Sequence, residues 1–475
     1  MRATVKSAGI ILMLGSVLAL AGVPFGGSSL FSRALASVGA APHATSAAAT
    51  AWSGSIILQN HGVEPANVLV NFYSPAGVLV KAHALTSPLP PKGSLSLDTA
   101  AIPDLPNGFA GSAVVSSSQP VSAVFIGFDA INPDIDRTIY TGYAEGSTSA
   151  YVPAISNAYA DQTSTLVVQN VETGPITVSI RYYERFSGSL TATVNDTIPS
   201  SASHYYDSGN LPGPQQLPSG WSGAALVQSS GGRLVAAVHQ PYLSSGKAVS
   251  FEALATVGNA VFLPSALLRY PPQMQTTFIA VQNTQASAVD VKITFYDRAG
   301  AAVGSVAGAI EGFRKQSWNP GSAGIAAGYI GSAVVQASGP VAAVVNIGSD
   351  TDLAMAYDGV PSGYTKVALP YVRWSPTNDP KGWRTYIAAM NVSQTTPAAI
   401  TVRYYDASGS LVRSETLNNI APNTKGNHNP GLFLGENGTF VGTVEIESSV
   451  PIAALVNAIT VDGGSSASYT GVPIP

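Results

Sequence analysis

The chain of 475 residues contains no cysteine. That absence excludes disulfides, thiolate metal sites, a cysteine nucleophile and a lipid-bearing N-terminal cysteine together. A secreted multidomain chain without disulfides must rely on packed cores, and domains of about 110 residues manage this unaided. Charge is also scarce. Asp, Glu, Lys and Arg make up 10% of the chain, with 22 basic against 26 acidic side chains and a net charge of −4. Such a balance carries no electrostatic footprint for nucleic acid. Long apolar runs are missing as well. The longest, Ile10 to Leu20, is broken by Gly15 and Ser16 and falls short of the about 18 residues a spanning helix needs.

What the chain does have is apolar residues cut into short lengths. AVILMFWYC residues reach 45%, punctuated by 47 glycines and 33 prolines. That mixture predicts many short strands joined by turns. The N-terminus reads as an export signal: Arg2 and Lys6 precede the apolar run, and small-x-small sites follow at Ala19-Leu20-Ala21 and Ala34-Leu35-Ala36. Cleavage is expected after Ala36, which leaves residues 1–36 without a part in the fold.

The organisation shows in internal repeats. One strand-like segment recurs as SIILQN, TLVVQN, FIAVQN and YIAAMN, ending at Asn60, Asn170, Asn283 and Asn391. A second follows each as VLVNFYSPAG, VSIRYYERFSG, VKITFYDRAG and ITVRYYDASG, with shared tyrosines Tyr73, Tyr183, Tyr296 and Tyr405. A third carries Phe109, Trp221, Tyr329 and Phe440 ahead of pairs such as GSAVV and PVAAVV. All three markers keep one period of about 110 residues. Each copy also opens on an apolar-Pro step, at Pro42, Pro153, Pro264 and Pro370. The copies divide the chain into 1–36 (signal peptide) and four repeats at 37–148, 149–259, 260–366 and 367–475.

Inside a copy the period is two. Val291, Ile293 and Phe295 alternate with Lys292 and Thr294, as in a half-buried antiparallel strand. The VAAVV-type runs are apolar on both parities, which fits a strand covered on both faces or one packed against a neighbouring domain. Gly77, Gly188, Gly300 and Gly409 follow the tyrosine strands as hairpin turns require. About seven strands per copy predict an all-β chain of four tandem immunoglobulin-like antiparallel β-sandwich domains after the signal peptide.

In the QN strand, the FYD/YYD-x-x-G hairpin and the GSAVV…PVAAVV pair, the chain resembles the tandem immunoglobulin-like or fibronectin-type-III-like repeats of bacterial secreted and cell-surface proteins. The resemblance spans nearly all of 37–475 and implies a stalk, an adhesin, a surface-layer component or a spacer.

No catalytic, cofactor or metal site emerges. His43, His61, His83, His204, His239 and His428 form no HExxH or other close metal-binding pair. Gly220-Trp221-Ser222-Gly223 lacks nucleophile-elbow spacing and coincides with the repeat's aromatic-Gly turn. His239 aligns with Phe125, Val345 and Val456 and reads as a hydrogen-bonded core residue or a domain contact. The four marker asparagines read as backbone staples. Asp129, Asp134 and Asp136, with Asp350 and Asp352 in the corresponding loop of the third copy, lack calcium-loop spacing and read as solvated loops. The hairpin tyrosines read as packing residues, and Tyr205-Tyr206 as a candidate aromatic platform for sugar.

The expectation is an exported, non-enzymatic structural protein of the cell surface, secreted or extracellular. Its partners would be further copies or cell-envelope material, with a glycan-binding adhesin as the alternative. No membrane span is expected in the mature chain. Prolines at the junctions predict semi-rigid links and an extended or gently bent rod. The last copy stops at Tyr469-Thr-Gly-Val-Pro473 with no next apolar-Pro strand, an end able to accept a strand from another chain.

Overall fold

The computed structural model describes residues 8–14, 52–129, 137–245, 247–349 and 353–475, the first of these as backbone only. The chain is all-β, with 62% of residues in strands and 3% in helix. The first copy holds β1 (Ala8–Leu14), β2 (Trp52–Asn60), β3 (Val68–Tyr73), β4 (Leu79–Ala84), β5 (Ser94–Asp98), β6 (Gly111–Ser117), β7 (Val121–Asp129) and β8 (Arg137–Thr141). The second holds β9 (Ser149–Asn157), β10 (Thr165–Asn170), β11 (Ile176–Glu184), β12 (Leu190–Ile198), β13 (Ser203–Asp207), β14 (Trp221–Ser230), β15 (Leu234–Pro241) and β16 (Ala248–Glu252).

In both copies two four-stranded antiparallel sheets form, in the orders β1-β6-β3-β4 and β5-β2-β7-β8, then β9-β14-β11-β12 and β13-β10-β15-β16. The second strand pairs with the seventh and the third with the sixth, so the pairs nest.

The third copy repeats the scheme with β17 (Gly258–Leu268), β18 (Thr276–Asn283), β19 (Val289–Tyr296), β20 (Ala302–Ile310), β21 (Lys315–Trp318), β22 (Tyr329–Gly348) and β23 (Ala354–Asp358). The fourth has β24 (Tyr364–Trp374), β25 (Trp383–Asn391), β26 (Ala398–Asp406), β27 (Leu411–Ile420), β28 (Lys425–His428), β29 (Phe440–Thr460), β30 (Ser466–Thr470) and β31 (Val472–Pro473). Here β22 and β29 run unbroken through the sixth and seventh positions, joining the two sheets.

The sequence markers are core parts. Val291, Ile293 and Phe295 are buried while Lys292 is exposed, as alternation predicts. The first aromatic of each tyrosine strand meets the turn aromatic edge to face: Phe72–Phe109, Tyr182–Trp221, Phe295–Tyr329 and Tyr404–Phe440, with ring centroids 5.8, 6.4, 6.3 and 5.6 Å apart. Such pairs add about 1 kcal/mol beyond their buried area. Each marker asparagine is fully buried. Asn283 Nδ2 donates to the carbonyls of Ser287, Ile310 and Glu311, and its Oδ1 accepts from the Gln285 amide. Asn60, Asn170 and Asn391 tie the same two loops together in their copies.

One expectation changes: the repeats do not form a rod. The first strand of one copy packs on the second and seventh strands of the next, β9 on β18 and β22, β17 on β25 and β29, and β24 on β2 and β7 of the first copy. The hairpin glycines land on the neighbour too: Gly77 faces Ser200 and Ala202, Gly188 faces Glu311 and Arg314, Gly300 faces Ala421 and Thr424, and Gly409 returns to Pro91 and Gly93. The four copies therefore close into a ring. Apolar residues on the outward sheet faces explain why: Ile57, Val124 and Ile126 of the first copy join the core of the fourth. Doubly apolar strands bury one face in their own sandwich and the other in a seam. The terminal segment is accordingly occupied, because Val472–Pro473 pairs with Val367–Ala368 of β24.

The backbone of Ala8–Leu14 pairs antiparallel with β6 at the position that β9 holds against β14. The stretch around Pro42 lies outside the described residues.

Candidate functional sites between the repeats

The eighth strands β8, β16, β23 and β30 touch one another in cyclic order and line the ring axis. Each ends in an aromatic followed by a polar residue: Tyr140-Thr141, Phe251-Glu252, Tyr357-Asp358 and Tyr469-Thr470. The aromatics turn into the cores, so period two sends the polar residues to the axis.

Thr141 donates to Glu252 Oε1 through its amide and its hydroxyl. The Glu252 amide donates to Asp358 Oδ2 at 3.2 Å, and the Asp358 amide donates to Thr470 Oγ1 at 3.2 Å. Burial, the neighbouring Glu252 charge and a hydrogen bond to the Glu252 carboxyl raise Asp358 well above the usual carboxylate range. These four residues border a cavity of about 310 Å³ fed by all the repeats.

Nothing in the chain's spacing announced this pair of acids, because they are far apart in sequence and stand at a position held by threonine in the other two copies. The signal was available in the register of the Tyr/Phe-x step.

The seams hold further polar links. Between the fourth and first copies Glu445 accepts from His61 Nδ1 at 3.0 Å and from Lys92 Nζ at 2.9 Å. Burial alone would raise Glu445, but the hydrogen bonds from His61 and Lys92 hold it below its ordinary value. Between the second and third, Arg314 Nη1 donates to the Phe186 carbonyl at 2.6 Å and Gln282 Nε2 to the Ala225 carbonyl at 3.1 Å.

His239 stands one residue away from its expected alignment. Its partner across the ladder is Thr165, as Ile126 faces Ser55, Asn346 faces Phe278 and Asn457 faces Tyr386. His239 thus matches Ile126, Asn346 and Asn457, not Phe125, Val345 and Val456. The shared VAAV string hid the slip, and one residue moves a side chain to the opposite face. His239 lies on a seam face beside Ser250, and burial lowers its pKa to about 4.

Tyr205 and Tyr206 do not form an open platform. Tyr206 is buried and donates to Asp196, and Tyr205 reaches the Gly111 carbonyl of the first copy at 3.3 Å. Tyr183 packs on Phe313 of the next copy, ring centroids 5.2 Å apart. Trp221 and Ser222 are buried at the start of β14, and Trp221 Nε1 donates to Thr191.

The side chain of Asp129 and residues Asp134, Asp136, Asp350 and Asp352 lie outside the described residues, as does His43. Among the described residues no group of three or more His, Asp or Glu stands close enough to hold a metal ion. No described helix is long and apolar enough to cross a membrane.

No family model and no curated protein matches the chain. Among solved structures, the Anabaena sensory rhodopsin transducer is 18% identical over 19% of this chain and 94% of its own, with a TM-score of 0.17. A Thermotoga maritima protein, 1070, is 15% identical over 22% of this chain and 92% of its own, with a TM-score of 0.20. A serine-rich repeat protein from Streptococcus agalactiae is 9% identical over 50% of this chain and 84% of its own, with a TM-score of 0.12.

Proposed function

We propose that the protein is an exported, non-enzymatic structural component of the cell surface that assembles with further copies of itself. One observation carries the reading. The fourth strand of every copy, β4, β12, β20 and β27, is the outer strand of its sheet. Each also exposes apolar side chains at its start: Leu79, Leu190, Val303, and Leu411 with Val412. An unpaired edge of this kind is a template for pairing with another chain. A closed ring carrying four such edges is suited to sheets or filaments, and the low charge density removes much of the repulsion that would oppose them.

Electron microscopy of purified protein tests this. Ordered sheets or filaments, lost when Ala307 in β20 is replaced by proline, support it. A strictly monomeric mass by light scattering at high concentration overturns it.

A second reading, carbohydrate binding, is favoured by Tyr270 and Tyr386 lining a cavity in the seam between the third and fourth copies. Binding on a glycan array tests it.

A further inference from the structure

The seam between the third and fourth copies encloses a cavity of about 320 Å³, within the range of small-molecule sites. Its wall carries Arg298, Arg384 and Lys425 and contains no carboxylate. Lys425 is 8% exposed, and its side chain makes no hydrogen bond or ion pair among the described residues. Burial, and then the nearby Arg298, push its pKa down to about 7.

Arg384 is half committed. Its Nη2 meets Glu436 at 2.6 Å, while its buried Nε has no acceptor. Arg298 Nη2 donates to the Tyr270 hydroxyl at 3.2 Å, so its charge is not neutralised there.

Of the other three seams, two carry serine at this position and the one between the second and third copies carries a second buried lysine, Lys315. The β-ladders place Ser94, Ser203 and Lys315 where the fourth copy has Lys425, and the cavity with two arginines in its wall is on the Lys425 seam. In the seam between the fourth and first copies, Glu445 neutralises Lys92. A largely buried ammonium without a counterion is destabilising. An anion entering the cavity would supply the missing partner for Lys425 and an acceptor for Arg384 Nε. Beside these cations stand Tyr386, 42% exposed, and Tyr270, whose rings offer flat apolar faces.

We propose that this cavity binds a carboxylated sugar, its carboxylate taken by Lys425 and Arg384 and its ring laid against Tyr386. The proposal rests on the carbohydrate reading only for the sugar body. The anion requirement comes from the cations alone.

Calorimetric titration of the full chain at pH 6.5 with D-glucuronate, D-glucose and inorganic phosphate tests it. Glucuronate is expected to bind saturably, and glucose and phosphate at least about tenfold more weakly. Lys425→Met should abolish glucuronate binding while its melting temperature holds or rises, since a buried charge is removed. Tyr386→Ala should weaken binding. Affinity should fall between pH 6.5 and pH 8.5 as Lys425 loses its proton.

No saturable glucuronate binding, or unchanged binding by Lys425→Met, overturns the proposal. Phosphate binding as tight as glucuronate overturns the sugar assignment. Array binding of neutral glycans that survives Lys425→Met would leave the carbohydrate reading standing while overturning this site.

Discussion

Gly409, in the fourth repeat, lies so close to the Pro91 carbonyl in the first that a β-carbon has no room between them. Its φ of +87° is also one that side chains rarely adopt. The contact closes the ring. Gly409→Val is expected to destabilise the fold by about 2 kcal/mol or more and to loosen one seam selectively. Spin labels on the first and fourth repeats should report a longer and broader distance distribution, while labels on the second and third should not.

Asp358 on the axis makes stability depend on pH, and the direction follows from its raised pKa. Asp358 has a folded pKa above its unfolded value, so the folded state holds the extra proton. Its contribution is fully present below about pH 4 and is lost as pH rises through the folded pKa. Asp358→Asn should therefore flatten that loss, gaining stability over the parent at pH 8 more than at pH 4. Urea titrations at the two pH values measure the difference.

Lys315 behaves in the opposite sense. It is buried in the seam between the second and third repeats, and burial followed by Arg185 lowers its pKa to about 7. The unfolded chain binds the proton up to about pH 10.4, so stability from this group rises with pH between those values. Lys315→Met should stabilise the protein at pH 7 by about 1–3 kcal/mol and remove that rise. Thermal melts from pH 6 to pH 10 check both parts.

Asn283→Ala leaves three carbonyls and one amide without their partner. A loss of about 2–4 kcal/mol is expected, with Asn283→Asp recovering little because a carboxylate cannot donate to carbonyls. Chemical denaturation measures it.

Removing residues 1–36 takes β1 from the edge of β6. Amides of Gly111–Ser117 that bond to β1 should then exchange with solvent faster in 37–475 than in the full chain. Equal protection in the two would mean that another segment takes the place of β1.

The strands, their two-residue period and the fourfold repeat were legible because cores and turns write local patterns. Phe72, Phe295 and the hairpin glycines sit where alternation and turn chemistry put them. The ring was not legible. It depends on outward residues such as Ile57, Val124 and Ala388, whose apolar character says that something covers them but not what. The proline steps suggested stiff links, yet stiffness is compatible with a bend that closes. The seam cavity was not legible for a related reason: Arg298 comes from the turn after β19, Arg384 and Lys425 come from β25 and β28, and the three lie 41 to 127 positions apart in sequence. His239 takes the face it does because ladder register, opposite Thr165, and not the local VAAV string, sets its neighbours.

Because one chain supplies all four members of the ring, no seam is bound to copy another. An assembly of four identical subunits would multiply any substitution by four. Here a lysine at one junction, a serine at the matching place in another and two acids among four axial positions can each drift alone. Covalent linkage turns a symmetric scaffold into four separately editable joints, so specialisation at one corner need not disturb the other three.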